Sequence, residues 1–310
     1  MIDLRATERR NPHTLDIDLM SAREIVDIIN WEDQMVAAAV ATQGEQIAEA
    51  VAMAEAAFRS GGRLLYVGAG TSGRLGVLDA SECPPTFGTD PEMVQGVIAG
   101  GPAALTRAQE GAEDDREAGA RAMDERCVCE RDFVVGITSS GTTPYVVGAL
   151  VRAKGLGGRT AMVACAELPV ELQAVLDVAI LPMVGPEVVT GSTRMKGGTA
   201  TKLVLNTITT GAMIRLGKTY GNLMVDLRVS NAKLADRAVR IVCEVCRVTR
   251  VEAQSVLERA GGGVKTAIVM QMWGVSRAEA EERLQQADGV IRRVVPDGPP
   301  PVIDDSGTHG

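Results

Sequence analysis

Short apolar runs alternate along the chain with longer stretches in which apolar and polar residues recur at helical spacing. Residues 64–67 read as a buried strand, 94–99 and 133–137 as the next two strands, and 160–164 and 178–181 as further short apolar runs. Ser21 and Glu24 stand at capping-box spacing and open one helix. An Ala-rich stretch over 33–60, free of Gly and Pro except Gly44, predicts another. Further helices are predicted over 74–80, 103–125, 145–154 and 196–215. Strands alternating with helices at this interval imply an α/β fold with a doubly wound parallel sheet. Ligands of such sheets sit beyond the carboxyl ends of the strands.

Past residue 230 the strand pattern stops. A helix is predicted over 231–248, and the pairs Thr249 with Glu252 and Ser276 with Glu279 open two more. The organisation expected is an N-terminal segment with helices over 1–45, an α/β domain with flanking helices over 46–248, and a small helical C-terminal subdomain over 249–295. The Pro-, Gly- and Asp-rich tail over 296–310 is expected to be disordered.

Composition narrows the classes of partner. With 45% hydrophobic residues among 310, the chain has material for a sizeable core. Aromatic residues are 3% and the net charge is −8, which argues against nucleic acid. No run approaches the roughly 18 apolar residues that a membrane span needs. The first residues are polar and charged, so no signal peptide is expected. The six cysteines then read as reduced thiols. Cys243 and Cys246 form a lone C-x-x-C, and the two histidines are His13 and His309, so neither a metal site nor a cofactor is expected.

Two polar loops that follow strands carry the candidate chemistry. Gly68, Gly70 and Gly73 satisfy G-x-G-x-x-G, but the next strand ends without the acid that would hold a dinucleotide ribose. Gly70, Thr71 and Ser72 instead suit sugar oxygens. The second loop, Ser139, Ser140, Gly141, Thr142 and Thr143, precedes a helix. Hydroxyls, exposed amides and a helix N-terminus make an anion site that needs no lysine. A third cluster holds Ser192, Arg194 and Lys196 at a predicted helix start, where a cation could complete an anion pocket or simply be surface charge.

Two carboxylates stand out. Glu82 precedes Cys83-Pro84-Pro85, where the prolines are expected to end a helix and hold Glu82 at a rigid corner. Glu113 lies in an acidic patch on a predicted helix, a pattern that alone favours a solvated charge. Two carboxylates can divide acid and base work when their environments separate their pKa values.

The run from Tyr66 to Gly88, which contains Gly-Ala-Gly-Thr-Ser-Gly-Arg-Leu-Gly and Ala-Ser-Glu-Cys-Pro-Pro-Thr-Phe, closely resembles the N-acetylmuramic acid 6-phosphate etherase family. Residues 7–12, 110–114, 188–196 and 221–226 extend the resemblance to about residue 295. It implies a sugar isomerase (SIS) domain related to the glucokinase regulatory protein, working as a cytoplasmic homodimer without a cofactor. The implied reaction releases D-lactate from a phosphorylated amino sugar. Glu82 then matches the general acid, Glu113 a second glutamate assigned as the C2 base, and residues 139–143 the phosphate loop. Thr142 stands where the family commonly has Arg, and Cys165-Ala166-Glu167 replaces a common Cys-Asn-Pro. A phosphosugar aldose–ketose isomerase and a non-catalytic sugar-phosphate regulator are the competing readings of the same loops.

Overall fold

The computed structural model describes residues 6–227 and 232–299. Five strands, β1 (Leu64–Gly68), β2 (Val94–Ile98), β3 (Phe133–Ile137), β4 (Arg159–Val163) and β5 (Val178–Ile180), form one sheet. Their order is β2-β1-β3-β4-β5 and every pairing is parallel. The chain leaves β1 in one direction to make β2, then returns to the other side of β1 to make β3. That reversal opens a crevice between the loops following β1 and β3, the place where doubly wound sheets hold ligands.

Helices α1 (Ala22–Ala41), α2 (Gly44–Arg59), α3 (Gly70–Phe87), α4 (Arg116–Glu125), α5 (Pro144–Gly155), the short α6 (Val170–Gln173) and α7 (Lys196–Arg215) accompany the sheet. The central strands β1 and β3 are buried at every position because both of their faces are covered, whereas β2 carries the half-buried Gln95 and β4 begins at the exposed Arg159. Leu65, Val67, Val134 and Met162 pack with Val146 and Leu150 of α5 and Met123 of α4. On the other face, the Tyr66 hydroxyl donates to the Leu205 carbonyl of α7 at 3.3 Å. Gly76 lets α3 sit close to that ring, since a Cβ there would come within 2.8 Å of Tyr66 Cβ.

Chain contacts divide the molecule into two units, residues 1–81 with 91–212, and residues 82–90 with 213–310. In the second unit β6 (Thr219–Tyr220) and β7 (Leu223–Met224) form an antiparallel ribbon. Helices α8 (Ala232–Cys246), α9 (Arg250–Arg259), α10 (Val264–Trp273), α11 (Arg277–Gln286) and α12 (Ile291–Val294) complete it. Val242, Val256, Ile268, Val269 and Ile291 are fully buried at its centre. Helix α8 therefore shares a core with the C-terminal helices, whereas the sequence pattern placed a boundary after 248.

Three element readings change in ways that matter below. The helix expected over 33–60 is two helices, broken just before Gly44. At the break the Gln43 side chain accepts from the Leu181 amide at 2.9 Å. The helix expected over 103–125 forms only from Arg116, where Asp115 accepts from the Ala118 amide, while Gly111 sits at φ 73° in the loop before it. Pro84 and Pro85 do not end α3, which continues to Phe87. The proline ring suits helical φ, so at a helix end it costs mainly the hydrogen bonds its missing N–H would make. The Gly88 amide closes that last turn on the Pro84 carbonyl at 3.0 Å. The capping boxes at Ser21 and Thr249 form completely, and at Ser276 only the serine half forms, because Glu279 pairs with Arg283 instead. The tail reading over 300–310 and the helix start at residue 231 lie outside the described residues.

Candidate active site

The glycines of the first loop are there because the backbone crosses itself. A Cβ on Gly68 would lie 2.6 Å from the Gly73 nitrogen, and one on Gly73 would lie 2.7 Å from the Gly68 oxygen. This tight turn delivers Gly70, Thr71 and Ser72 as the first turn of α3. In the second loop Thr138 Oγ1 bonds Thr143 Oγ1 at 2.7 Å, and Ser140 Oγ lies 3.3 Å from both Thr138 Oγ1 and Thr142 Oγ1. Gly141 turns the loop at φ 75° with its α-carbon against Leu168. Pro144 then starts α5 at a position where its missing N–H costs no helical bond.

The third cluster closes on the first two. A Cβ on Gly197 would lie 3.2 Å from Ser139 Oγ, and one on Gly198 would lie 3.7 Å from Thr71 Cγ2. Gly197 leaves room for the second hydroxyl loop, while Gly198 lies at ordinary contact distance from the first.

Together the loops surround a cavity of about 370 Å³. Thr71, Ser72, Ser139, Ser140, Thr142 and Thr143 line it, with Gly70 at its edge. Glu113 lines it too, because the segment that carries it is a loop; its carbonyl accepts from the Tyr145 amide of α5 at 3.0 Å. No lysine or arginine is among the described residues lining this cavity. An anion bound here would be held by hydroxyls, amides and the positive end of α5.

Five predicted residues do not line the cavity. Gly141 shapes the second loop from behind. Ser192 and the exposed Arg194 are not lining residues; their neighbours Gly191 and Thr193 are. Lys196 is a correction to the anion-ligand reading. Its side chain is 3% exposed and its ammonium pairs with Glu32 of α1. The amides of Lys196 and Gly197 donate to the Glu187 carboxylate at 3.0 and 2.9 Å, so the N-terminus of α7 is already capped by an acid. Burial pushes the Glu187 carboxyl above its usual range, against those two amides.

Glu82 is not a lining residue either. It is exposed on α3, twelve residues beyond Gly70, which is about 18 Å along a helix.

Sequence reasoning missed Thr7 and Glu8, both of which line the cavity. The segment holding them is strapped to the loop before α7: Thr14 Oγ1 donates to the Val188 carbonyl at 2.8 Å and Asn11 Nδ2 to the Pro186 carbonyl at 3.3 Å. His13 Nδ1 lies 2.9 Å from Glu32, in the same network as Lys196. The signal that pointed there was the likeness of residues 7–12 to the family, which carried no role.

A parallel sheet with hydroxyl loops at its switch point defines the class as a doubly wound α/β protein with a polar cavity at the carboxyl ends of its strands. Residues 46–154 match the family model of the glucokinase regulatory protein N-terminal SIS domain. Residues 221–262 match its C-terminal lid domain. The N-acetylmuramic acid 6-phosphate etherase of Rhodopirellula baltica is 53% identical over 93% of this chain and 95% of its own length. That of Gloeobacter violaceus is 56% identical over 85% of this chain and 86% of its own, and that of Salinibacter ruber is 54% identical over 94% and 93%. The chain belongs to the N-acetylmuramic acid 6-phosphate etherase family.

Proposed function

We propose that the protein cleaves the lactyl ether of N-acetylmuramic acid 6-phosphate, giving N-acetylglucosamine 6-phosphate and D-lactate. Identity above one half to etherases along nearly the whole chain carries the reading. The cavity supports it, since the carboxylates of Glu8, Glu113 and Asp114 stand beside two hydroxyl loops. The 6-phosphate sits at residues 139–143, with the sugar against Thr71 and Ser72.

An ether is a poor leaving group, so the reaction must first make the neighbouring carbon acidic. In the open-chain sugar C2 adjoins the C1 aldehyde. Glu113 takes the C2 proton and the C3–O bond breaks as an acid protonates the departing lactyl oxygen. Water then adds its hydroxyl to C3 of the unsaturated aldehyde, and C2 regains a proton. By the family resemblance Glu82 is that acid. Substituting Glu82→Gln is expected to abolish lactate release while the far-ultraviolet circular dichroism stays that of the folded protein. Near-normal turnover would remove Glu82 from this role.

The protein works as a homodimer in which a second copy brings Glu82 to the cavity. The 18 Å of helix between Glu82 and its own first loop supports this. So do the exposed apolar side chains Trp31 and Met35 of α1, Leu78 of α3 and Leu203 of α7. Mixing inactive Glu82→Gln and Glu113→Gln subunits tests it. Shared sites regain activity in mixed dimers, because one site then carries neither substitution. Self-contained sites stay silent. The reaction belongs to the recycling of cell-wall amino sugars in the cytoplasm, the setting that the family resemblance implies.

A further inference from the structure

The proposed substrate is anionic at two ends, the phosphate on C6 and the carboxylate of the lactyl group on C3. The hydroxyl loops account for one of them. Beside the main cavity lies a smaller one of about 240 Å³ that shares Ala69, Gly70 and Glu113 with it. Gly70 and Arg74 lie one turn apart on α3, so they present one face of the helix to this side cavity, while Thr71 and Ser72 face the main one.

Arg74 is the one cation among the described residues that line either cavity. Its Nε donates to the Leu105 carbonyl at 3.1 Å, which fixes the plane of the guanidinium. Its two terminal nitrogens have no hydrogen bond or ion pair among the described residues. A fixed guanidinium with a free two-pronged edge is the geometry that takes a carboxylate side-on. The side cavity holds Glu110 and Glu113 as well, so Arg74 is the group there that a carboxylate can pair with.

The shared wall adds a second argument. The carbons that react, C2 and C3, lie between the two anionic ends of the substrate. Glu113, the residue proposed to take the C2 proton, is the titratable side chain common to both cavities.

We propose that Arg74 binds the lactyl carboxylate in this side cavity and thereby selects the ether substrate over phosphosugars that lack it. The inference rests on the etherase reading above, and the two can fail separately. Lactate release by the wild-type protein decides the reaction. Dissociation constants decide Arg74, measured by calorimetry in a Glu82→Gln background so that no ligand is consumed. The ligands are N-acetylmuramic acid 6-phosphate, its lactyl carboxamide analogue, and N-acetylglucosamine 6-phosphate.

With Arg74 in place the carboxylate is preferred to the carboxamide roughly 10- to 100-fold, the range of a hydrogen bond to a charged group. Arg74→Gln brings that preference near parity, and Arg74→Lys keeps part of it. Binding of N-acetylglucosamine 6-phosphate, which has no lactyl group, changes by no more than about twofold, as expected of separated sites, and reports that the variant is folded. A preference that survives Arg74→Gln overturns the proposal. So does an equal loss of N-acetylglucosamine 6-phosphate binding in Arg74→Gln and Arg74→Lys, which would assign Arg74 to the phosphate end or to folding.

Discussion

The side chains of Lys196 and Glu32 are 3% and 7% exposed, and their ammonium and carboxylate pair with each other. Two opposite charges held this far from water depend on each other, because removing Lys196 leaves the Glu32 carboxylate buried with only Asn11 and His13 as partners. Lys196→Met is therefore expected to lower the urea unfolding free energy by about 3 kcal/mol. A loss below roughly 1 kcal/mol, the range of an exposed pair, would contradict the buried assignment. Nothing in the string Thr193-Arg194-Met195-Lys196 reveals this arrangement. The partner is 164 positions away on α1, and a lysine at a helix start looks the same in sequence whether it faces a ligand or a carboxylate. The hydroxyl residues were legible for the opposite reason. Their place on the cavity wall follows from a local turn after a strand, and Ser139 to Thr143 are contiguous.

At the scale of the element, the second loop takes its shape from Gly141, which adopts φ 75° with Leu168 packed where a side chain would go. Gly141→Ala would place a Cβ 2.7 Å from Leu168 Cδ2 in a left-handed backbone. The loop must shift, and binding of N-acetylglucosamine 6-phosphate is expected to weaken roughly tenfold, about 1.4 kcal/mol, by calorimetry. Unchanged affinity would mean that the loop does not hold the phosphate. Thr142 lines the same cavity, which has no cation of its own among the described residues. Thr142→Arg, which restores the residue common in the family, is expected to tighten the same ligand roughly tenfold through a charge-assisted bond. Weaker binding would show that the hydroxyl, bonded to Ser140, is the better ligand in this chain. The strands and α7 were readable because a buried strand or a long helix writes its period into consecutive residues. The start of α4 was not, since an Ala-rich acidic stretch has helical propensity whether or not Gly111 and Asp115 turn the chain first. That difference frees Glu113 from a helix surface and places it on the cavity wall.

Across the whole molecule, carboxylates held by hydrogen bonds and cations set the response to acid. Burial alone would raise the carboxyls of Glu32, Asp132 and Asp177, but hydrogen bonds outweigh it and all three are held below their ordinary range. The partners are Lys196, Asn11 and His13 for Glu32, Arg63 for Asp132, and Lys154 and Arg159 for Asp177. A carboxyl whose folded pKa is depressed stabilises the fold above its ordinary pKa, here 4.5 for Glu and 3.8 for Asp. That stability is lost as pH falls from there through the lower folded values. Thermal unfolding of the wild-type protein should therefore show a midpoint that falls steadily below about pH 4, with Asp132→Asn flattening the fall. A midpoint that holds or rises on acidification would contradict the pairing. The parallel order of the sheet was legible from strand–helix alternation, whereas the division into units was not. Residues 82–90 join the C-terminal unit through tertiary contacts that no local pattern encodes.

The central claim is a reaction, and its most direct test is to incubate the purified protein with N-acetylmuramic acid 6-phosphate and quantify D-lactate and N-acetylglucosamine 6-phosphate together. Equimolar appearance of both is the predicted result. Conversion of the sugar phosphate to an isomer without lactate, or tight binding with no turnover at high protein concentration, would contradict it.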